Sequence, residues 1–252
     1  MNRRWPFKAL ADDSCFSLLR RVIVSQTHPK IFIGRKAELR AALKALINDK
    51  HVFVRGPYGI GKTTFAYALL SACEGPHLVI SLQESPSEMA EKMIEILSTY
   101  QPGPRPERSV ANAVYFHDRR TRIKSFKILK TLMEQLCVYR FPIVVDDFRK
   151  ISTSKLAFLN MLASMGFRLI LAIDSGYEKR NIESLEKSCP IHVWIDLPRL
   201  TIEESKELIS CLFREQNAVP DPEQVRLWGK VYQGYPLQLV DRVRKFLGST
   251  LG

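Results

Sequence analysis

No apolar run among the 252 residues approaches the roughly 20 that a membrane-spanning helix requires, so a transmembrane role is not expected. The basic start, Met1-Asn2-Arg3-Arg4-Trp5-Pro6, leads to Asp12-Asp13 instead of an apolar stretch, which argues against a secretory signal. Cysteine is scarce and dispersed: five residues at 15, 73, 137, 189 and 211, odd in number and without a C-x-x-C pair. That spacing speaks against both a disulfide framework and a structural zinc site, and it predicts a reducing, cytoplasmic setting. The five histidines are equally scattered and are read as structural. Acidic residues are in deficit. The chain carries 26 Asp and Glu against 38 Lys and Arg, a net charge of +12, which points to a polyanionic partner, most commonly nucleic acid.

What is present is a phosphate-binding loop. The stretch His51-Val52-Phe53-Val54-Arg55-Gly56-Pro57-Tyr58-Gly59-Ile60-Gly61-Lys62-Thr63-Thr64 satisfies G-x-x-x-x-G-K-[ST] through Gly56, Gly61, Lys62 and Thr63. A β-rich run, Val52–Val54, precedes it, and Phe65–Leu70 reads as the helix that follows. Strand, tight loop and helix N-terminus are what the chemistry needs, because glycines let backbone N–H groups close around an anion at the positive end of a helix. Lys62 would reach the β- and γ-phosphates of ATP, and the Thr63 hydroxyl would join the coordination of Mg²⁺. A second apolar run, Phe141-Pro142-Ile143-Val144-Val145, ends in Asp146-Asp147, the pattern of a buried parallel strand delivering carboxylates to its C-terminal edge. Asp146 would hold Mg²⁺ through water, and Asp147 stands where a residue orients the attacking water.

Ahead of the loop, Ile31-Phe32-Ile33-Gly34-Arg35-Lys36-Ala37-Glu38-Leu39 runs into a helical pattern through Leu43, Leu46 and Ile47. An apolar-Gly-Arg-x-x-Glu-Leu segment about twenty residues before a P-loop resembles the opening of AAA+ and STAND ATPases, among them origin-recognition initiators and ATPases that regulate transposition. The resemblance implies an adenine pocket lined by Ile33, Gly34 and Arg35. It also implies a γ-phosphate sensor at the end of the strand Arg168–Ser175, where Asp174 is preferred and Ser175 is the alternative. An arginine reaching a neighbouring subunit's nucleotide would lie near the strand Ile191–Ile195, with Arg180, Lys187 and Arg199 available. Lys187 cannot make the bidentate contact of an arginine. Where AAA+ machines mostly show Asp-Glu, this chain has Asp146-Asp147, a pair common in STAND switches, which leans toward slow, switch-like hydrolysis.

The remaining elements alternate. A strand is expected over His77–Leu82, a capped helix from Ser85-Pro86-Ser87-Glu88, a helix over about 123–139, a helix over Thr153–Met165 ended by Gly166, and a helix over Glu178–Glu186. Then come a second capping box, Thr201 to Glu204, a helix opened by Asp221-Pro222, and a last helix begun by Gly234-Tyr235-Pro236-Leu237. Five strands alternating with helices predict an α/β fold with a parallel sheet. The resemblance implies the P-loop NTPase order 5-1-4-3-2 and a small C-terminal helical lid, with Gly-x-Pro-Leu as a STAND-type signature that places Pro236 against adenine. A sensor arginine usually found near Leu237 is absent there, leaving Arg242 or Arg244. The expected division is an N-terminal extension over 1–30, available to a protein partner, an ATPase core over 31–197 and the lid over 198–252.

Residues 101–130 are the compositional outlier, with eight basic residues against Glu107 and Asp118. Arg119, Arg120, Arg122, Lys124 and Lys127 are the candidates for phosphate contacts, with Tyr115, Phe116 and Phe126 interleaved. The combined expectation is an ATP- and Mg²⁺-dependent, homo-oligomerising switch that assembles on duplex DNA. The alternative is a STAND-like core directed at proteins in signalling or defence, without nucleic-acid binding.

Overall fold

The computed structural model describes residues 31–73, 78–99, 141–146, 148 and 151–250. The expected N-terminal extension, the 123–139 helix, the basic window with Arg119, Arg120, Arg122, Lys124 and Lys127, and Asp147 all lie outside the described residues.

Chain order is α1 (Lys36–Ile47), β1 (His51–Gly56), α2 (Lys62–Ser71), β2 (Leu78–Ser81), α3 (Pro86–Thr99), β3 (Pro142–Asp146), α4 (Thr153–Ser164), β4 (Arg168–Asp174), α5 (Lys179–Ser188), β5 (His192–Asp196), α6 (Ile202–Glu215), α7 (Pro222–Val231) and α8 (Pro236–Thr250). The strands form one parallel sheet in the order β2-β3-β4-β1-β5, the expected order read from the other edge. Each parallel neighbour needs a crossover, and the intervening helices supply them on both faces.

Pleating explains how short apolar runs serve two cores at once. In β1, Phe53 faces one side with Leu169, Leu171 and Ile173 of β4 and Ile143 and Val145 of β3; Val52 and Val54 face the other with Ile170 and Val144. The first side is roofed by Met89 and Met93 of α3, Phe158, Leu159 and Leu162 of α4, and Leu185 of α5. The second is roofed by Leu39, Leu43 and Leu46 of α1 and Phe65 and Leu69 of α2. A strand buried on both faces reads as a continuous apolar run, which is why β1, β3 and β4 were recognisable without alternation. A third cluster ties α6, α7 and α8 together around Phe213, Trp228 and Phe246, and Ile31 and Ile33 pack against it.

Local chemistry fixes the helix ends. Ser85 and Glu88 exchange side-chain and backbone hydrogen bonds at the start of α3, and Thr201 and Glu204 do so at the start of α6. Ser152 caps α4 and Asp221 caps α7 ahead of Pro222. Among the described residues no helix is long and apolar enough to cross a membrane, and no cluster of His, Cys, Asp and Glu is arranged for a metal ion.

Candidate functional site

Parallel strands of an open sheet end at one edge, and there β1, β3 and β4 bring the P-loop, Asp146 and Asp174 together. Gly56 closes β1 opposite Asp174 in the ladder, so the loop leaves its strand beside the end of β4. Gly59 and Gly61 have φ of 80° and 94°, backbone that side-chain-bearing residues rarely adopt, and Gly61 is the residue just before α2. The turn they permit places Lys62 and Thr63 in the first turn of that helix, facing the edge of the sheet.

The two side chains reach different strands. Lys62 Nζ donates to the carbonyl oxygens of Gly56 (2.8 Å) and Pro57 (3.0 Å) and lies 3.2 Å from Asp174 Oδ2. Thr63 Oγ1 donates to Asp146 Oδ2 at 2.6 Å. Asp174 is itself oriented, because its Oδ1 accepts the Gly176 N–H at 2.9 Å. Ser175, the alternative to Asp174, instead sends its backbone N–H to the Gly56 carbonyl (3.1 Å) and is exposed. These groups line a cleft of about 530 Å³ with Tyr58, Phe148, Tyr177 and Leu237. Tyr58 is 79% exposed, whereas Ile60 is buried beneath the loop and anchors it to the core.

A second cavity, of about 150 Å³, is lined in part by Thr64, the residue after Thr63. Ile31, Phe32, Ile33, Arg35, Leu208 and Pro236 contribute to its lining, so the apolar opening segment and the α8 proline share one cavity. Gly34 does not line it. Its φ of 72° turns the chain, and a Cβ there would collide with the Glu204 carboxylate. Arg35, also left-handed at φ 56°, is buried: its Nη2 donates to the carbonyls of Ile60 and of Pro198 (3.2 Å), and its Nε has no partner among the described residues. Burial lowers its pKa to about 10, partly offset by the charges of Glu204 and Glu38, so it stays protonated at neutral pH. The residue expected as a pocket wall is thus also a tie between the P-loop and the segment entering α6.

Helix α8 contacts the loop directly. Leu237 N–H donates to the Gly59 carbonyl at 3.2 Å, and its side chain fills the space a Cβ on Gly59 would need. No arginine lines the phosphate cleft among the described residues. Arg242 stacks 5.1 Å from the Trp228 ring, and Arg244 lines the second cavity. Of the three candidates for a contact in trans, Arg199 is engaged with Gln233 (2.9 Å) and the Tyr235 ring (5.1 Å), while Arg180 and Lys187 are exposed on α5. Sequence reasoning missed Phe148, Tyr177, Leu208 and Leu212 as lining residues, since ordinary apolar residues carry no signal until the fold assembles them.

The donor set fits the groups that a P-loop implies. Positive-φ glycines leave room for a close anion, an ammonium sits at the loop's mouth, and a hydroxyl is paired with a carboxylate as hard oxygen ligands for Mg²⁺.

No family model matches the sequence, and no curated protein matches it. Solved structures do. The ORC1 protein of Aeropyrum pernix in complex with DNA aligns over 88% of this chain and 61% of its own, at 18% identity and a TM-score of 0.60. A Walker-type ATPase of Pyrococcus abyssi aligns over 91% and 71%, at 18% identity and a TM-score of 0.55. The RuvB Holliday junction branch migration motor of Thermotoga maritima aligns over 84% and 61%, at 16% identity and a TM-score of 0.54. The chain therefore spans about three fifths of the length of the first and third. Together with the sheet order, these likenesses give the chain the α/β fold of P-loop NTPases.

Proposed function

We propose that the chain binds ATP with Mg²⁺ and hydrolyses it slowly, as a switch. The observation that carries this is the convergence of Lys62 with Asp174 and of Thr63 with Asp146 at one edge of the sheet, from three separate elements, α2, β3 and β4. Backbone N–H groups of residues 59–63 cradle the phosphates, and Lys62 takes β- and γ-phosphate oxygens. Thr63 and Asp146 hold Mg²⁺, whose contribution when bound is neutralisation of charge across those oxygens. Asp147, next in the chain, orients the attacking water. Ile33, Arg35 and Pro236 shape the base pocket, and Leu237 reports the state of the loop to α8.

Assembly on duplex DNA is the favoured setting. It is supported by the charge of +12 and by the likeness to a protein captured with DNA and to a branch migration motor. A protein-directed, STAND-like switch is the second reading. The observation favouring it is Leu237 at the loop in place of an arginine.

Lys62→Ala tests the core of the proposal. The side chain is a ligand of the loop and belongs to none of the three core clusters, so the variant should fold and lose most ATP affinity in equilibrium binding of a fluorescent ATP analogue. Wild-type affinity in that variant would end the reading.

A further inference from the structure

Three features of the phosphate cleft bear on which nucleotide it holds. An ammonium has three donors. In Lys62 all three are placed, on the carbonyls of Gly56 and Pro57 and on the carboxylate of Asp174. A phosphate oxygen can take one of these donors only by displacing an acceptor, and the charged acceptor on the sheet side is Asp174 Oδ2. Nor is that carboxylate free to swing away. Its Oδ1 is tied to the Gly176 N–H, its backbone carbonyl accepts the Tyr177 N–H at 3.0 Å, and its Cα is in ladder register with Gly56. The third feature is the charge of the lining. Lys62 is opposed by Asp146 and Asp174, and no other Lys or Arg lines the cleft among the described residues.

On the P-loop reading, the loop N–H groups hold the β-phosphate. The γ-phosphate must then occupy the side of Lys62 that faces β4. A carboxylate cannot donate a hydrogen bond to a phosphate oxygen, and two anions side by side in a partly enclosed cleft repel.

We propose that Asp174 sets the ATP-to-ADP preference of the site: its fixed carboxylate competes with the γ-phosphate for Lys62 and disfavours the triphosphate relative to the diphosphate. The inference rests on the P-loop reading, and it assigns Asp174 a sign opposite to that of a sensor that rewards the γ-phosphate. The chain is thereby biased toward its diphosphate state, and triphosphate occupancy depends on added positive charge.

Asp174→Asn is the informative substitution. The amide oxygen can still accept from Gly176, so the turn at the end of β4 is retained while the charge is removed. Dissociation constants for ADP and for the non-hydrolysed analogue AMP-PNP would be measured on the full chain at fixed Mg²⁺, alongside Asp174→Glu, which keeps the charge. Wild type and Asp174→Glu should prefer ADP, and Asp174→Asn should shift the ratio toward AMP-PNP by about tenfold, equivalent to ~1.4 kcal/mol. A merely structural role would weaken both nucleotides together and leave the ratio alone. An unchanged ratio, or a shift toward ADP, overturns the proposal while leaving the P-loop reading intact. Absence of binding of either nucleotide to wild type overturns both. A substitution that unfolds the chain would show in circular dichroism, and Asp174→Ser, also uncharged, must then give the same shift toward AMP-PNP for the proposal to stand.

Discussion

His51 shows how a residue with no sequence signal can carry a measurable pH dependence. It opens β1, is buried, and its Nδ1 accepts the Leu169 N–H at 3.1 Å, which starts the pairing of β1 with β4. That bond requires a neutral ring nitrogen. Burial, with the nearby charges of Arg168 and His192, lowers the pKa from 6.5 to about 4. The unfolded chain therefore binds the proton more readily than the folded one. The stabilisation is complete above the unfolded value near 6.5 and is lost progressively as pH falls toward 4. Between pH 7 and pH 5 this amounts to ~2 kcal/mol. Denaturant titrations should show that extra loss in the wild type and not in His51→Asn, whose side chain can still accept from Leu169 but does not titrate there. Equal pH slopes in the two proteins would refute the assignment. Burial also pushes the thiols of Cys73 and Cys189 up to about 12, so they stay protonated at neutral pH. Lys62, Thr63 and Asp146 were identifiable from spacing alone because phosphate and magnesium chemistry restricts residue type. Arg35 as a tie between the P-loop and Pro198 was not, because that role depends on where two distant backbone carbonyls meet.

At the scale of elements, the Gly-x-Pro-Leu stretch has a physical explanation beyond its resemblance. Gly234, at φ 74°, lets its backbone close on Leu200, whose N–H donates to the Gly234 carbonyl at 2.9 Å. A Cβ at 234 would overlap the Leu200 carbonyl. Pro236 then sits in the first turn of α8, where a missing N–H costs nothing, and Leu237 is delivered to the Gly59 carbonyl. Each position thus sets the one after it, from the chain entering α6 to the P-loop. Gly234→Ala should destabilise by roughly 3 kcal/mol or more, because both the positive φ and a rigid backbone contact oppose it. Chemical denaturation measures that loss, and nucleotide affinity should fall with it as the Leu237 contact is displaced. A fully stable variant would show that the 200–234 contact is dispensable. Strand boundaries were legible to within a residue or two, since buried parallel strands are bounded by polar residues at both ends. The register, which puts Asp174 opposite Gly56 and so beside Lys62, was not, because the apolar pattern constrains each strand but not its offset from the next.

For the molecule as a whole, the expected sheet order and the capping boxes at Ser85 and Thr201 agree with the structure, while the link from ATPase to DNA rests on charge and on fold likeness. The basic residues at issue, Arg119, Arg120, Arg122, Lys124 and Lys127, fall outside the described residues, and their charge carries the expectation. If they neutralise backbone phosphates, duplex binding should weaken linearly in log K against log salt, with a slope of about −0.9 per phosphate. Replacing Arg119, Arg120 and Arg122 together by Ala should flatten that slope by roughly two to three units, one contact being lost per residue. Sequence preference should change little, because phosphate contacts position a protein without reading bases. An ATP analogue should strengthen binding over ADP, since assembly places the same weak contacts from each subunit along one duplex. ATP hydrolysis without DNA should be unchanged in the triple variant, which separates a lost contact from a damaged fold. A protein-directed switch makes the opposite demand: weak association, indifferent to nucleotide, whose salt slope ignores the three arginines. Titrations across salt concentrations with each nucleotide discriminate the two, and a flat response to both nucleotide and substitution would remove DNA from the account while leaving the phosphate site as it stands.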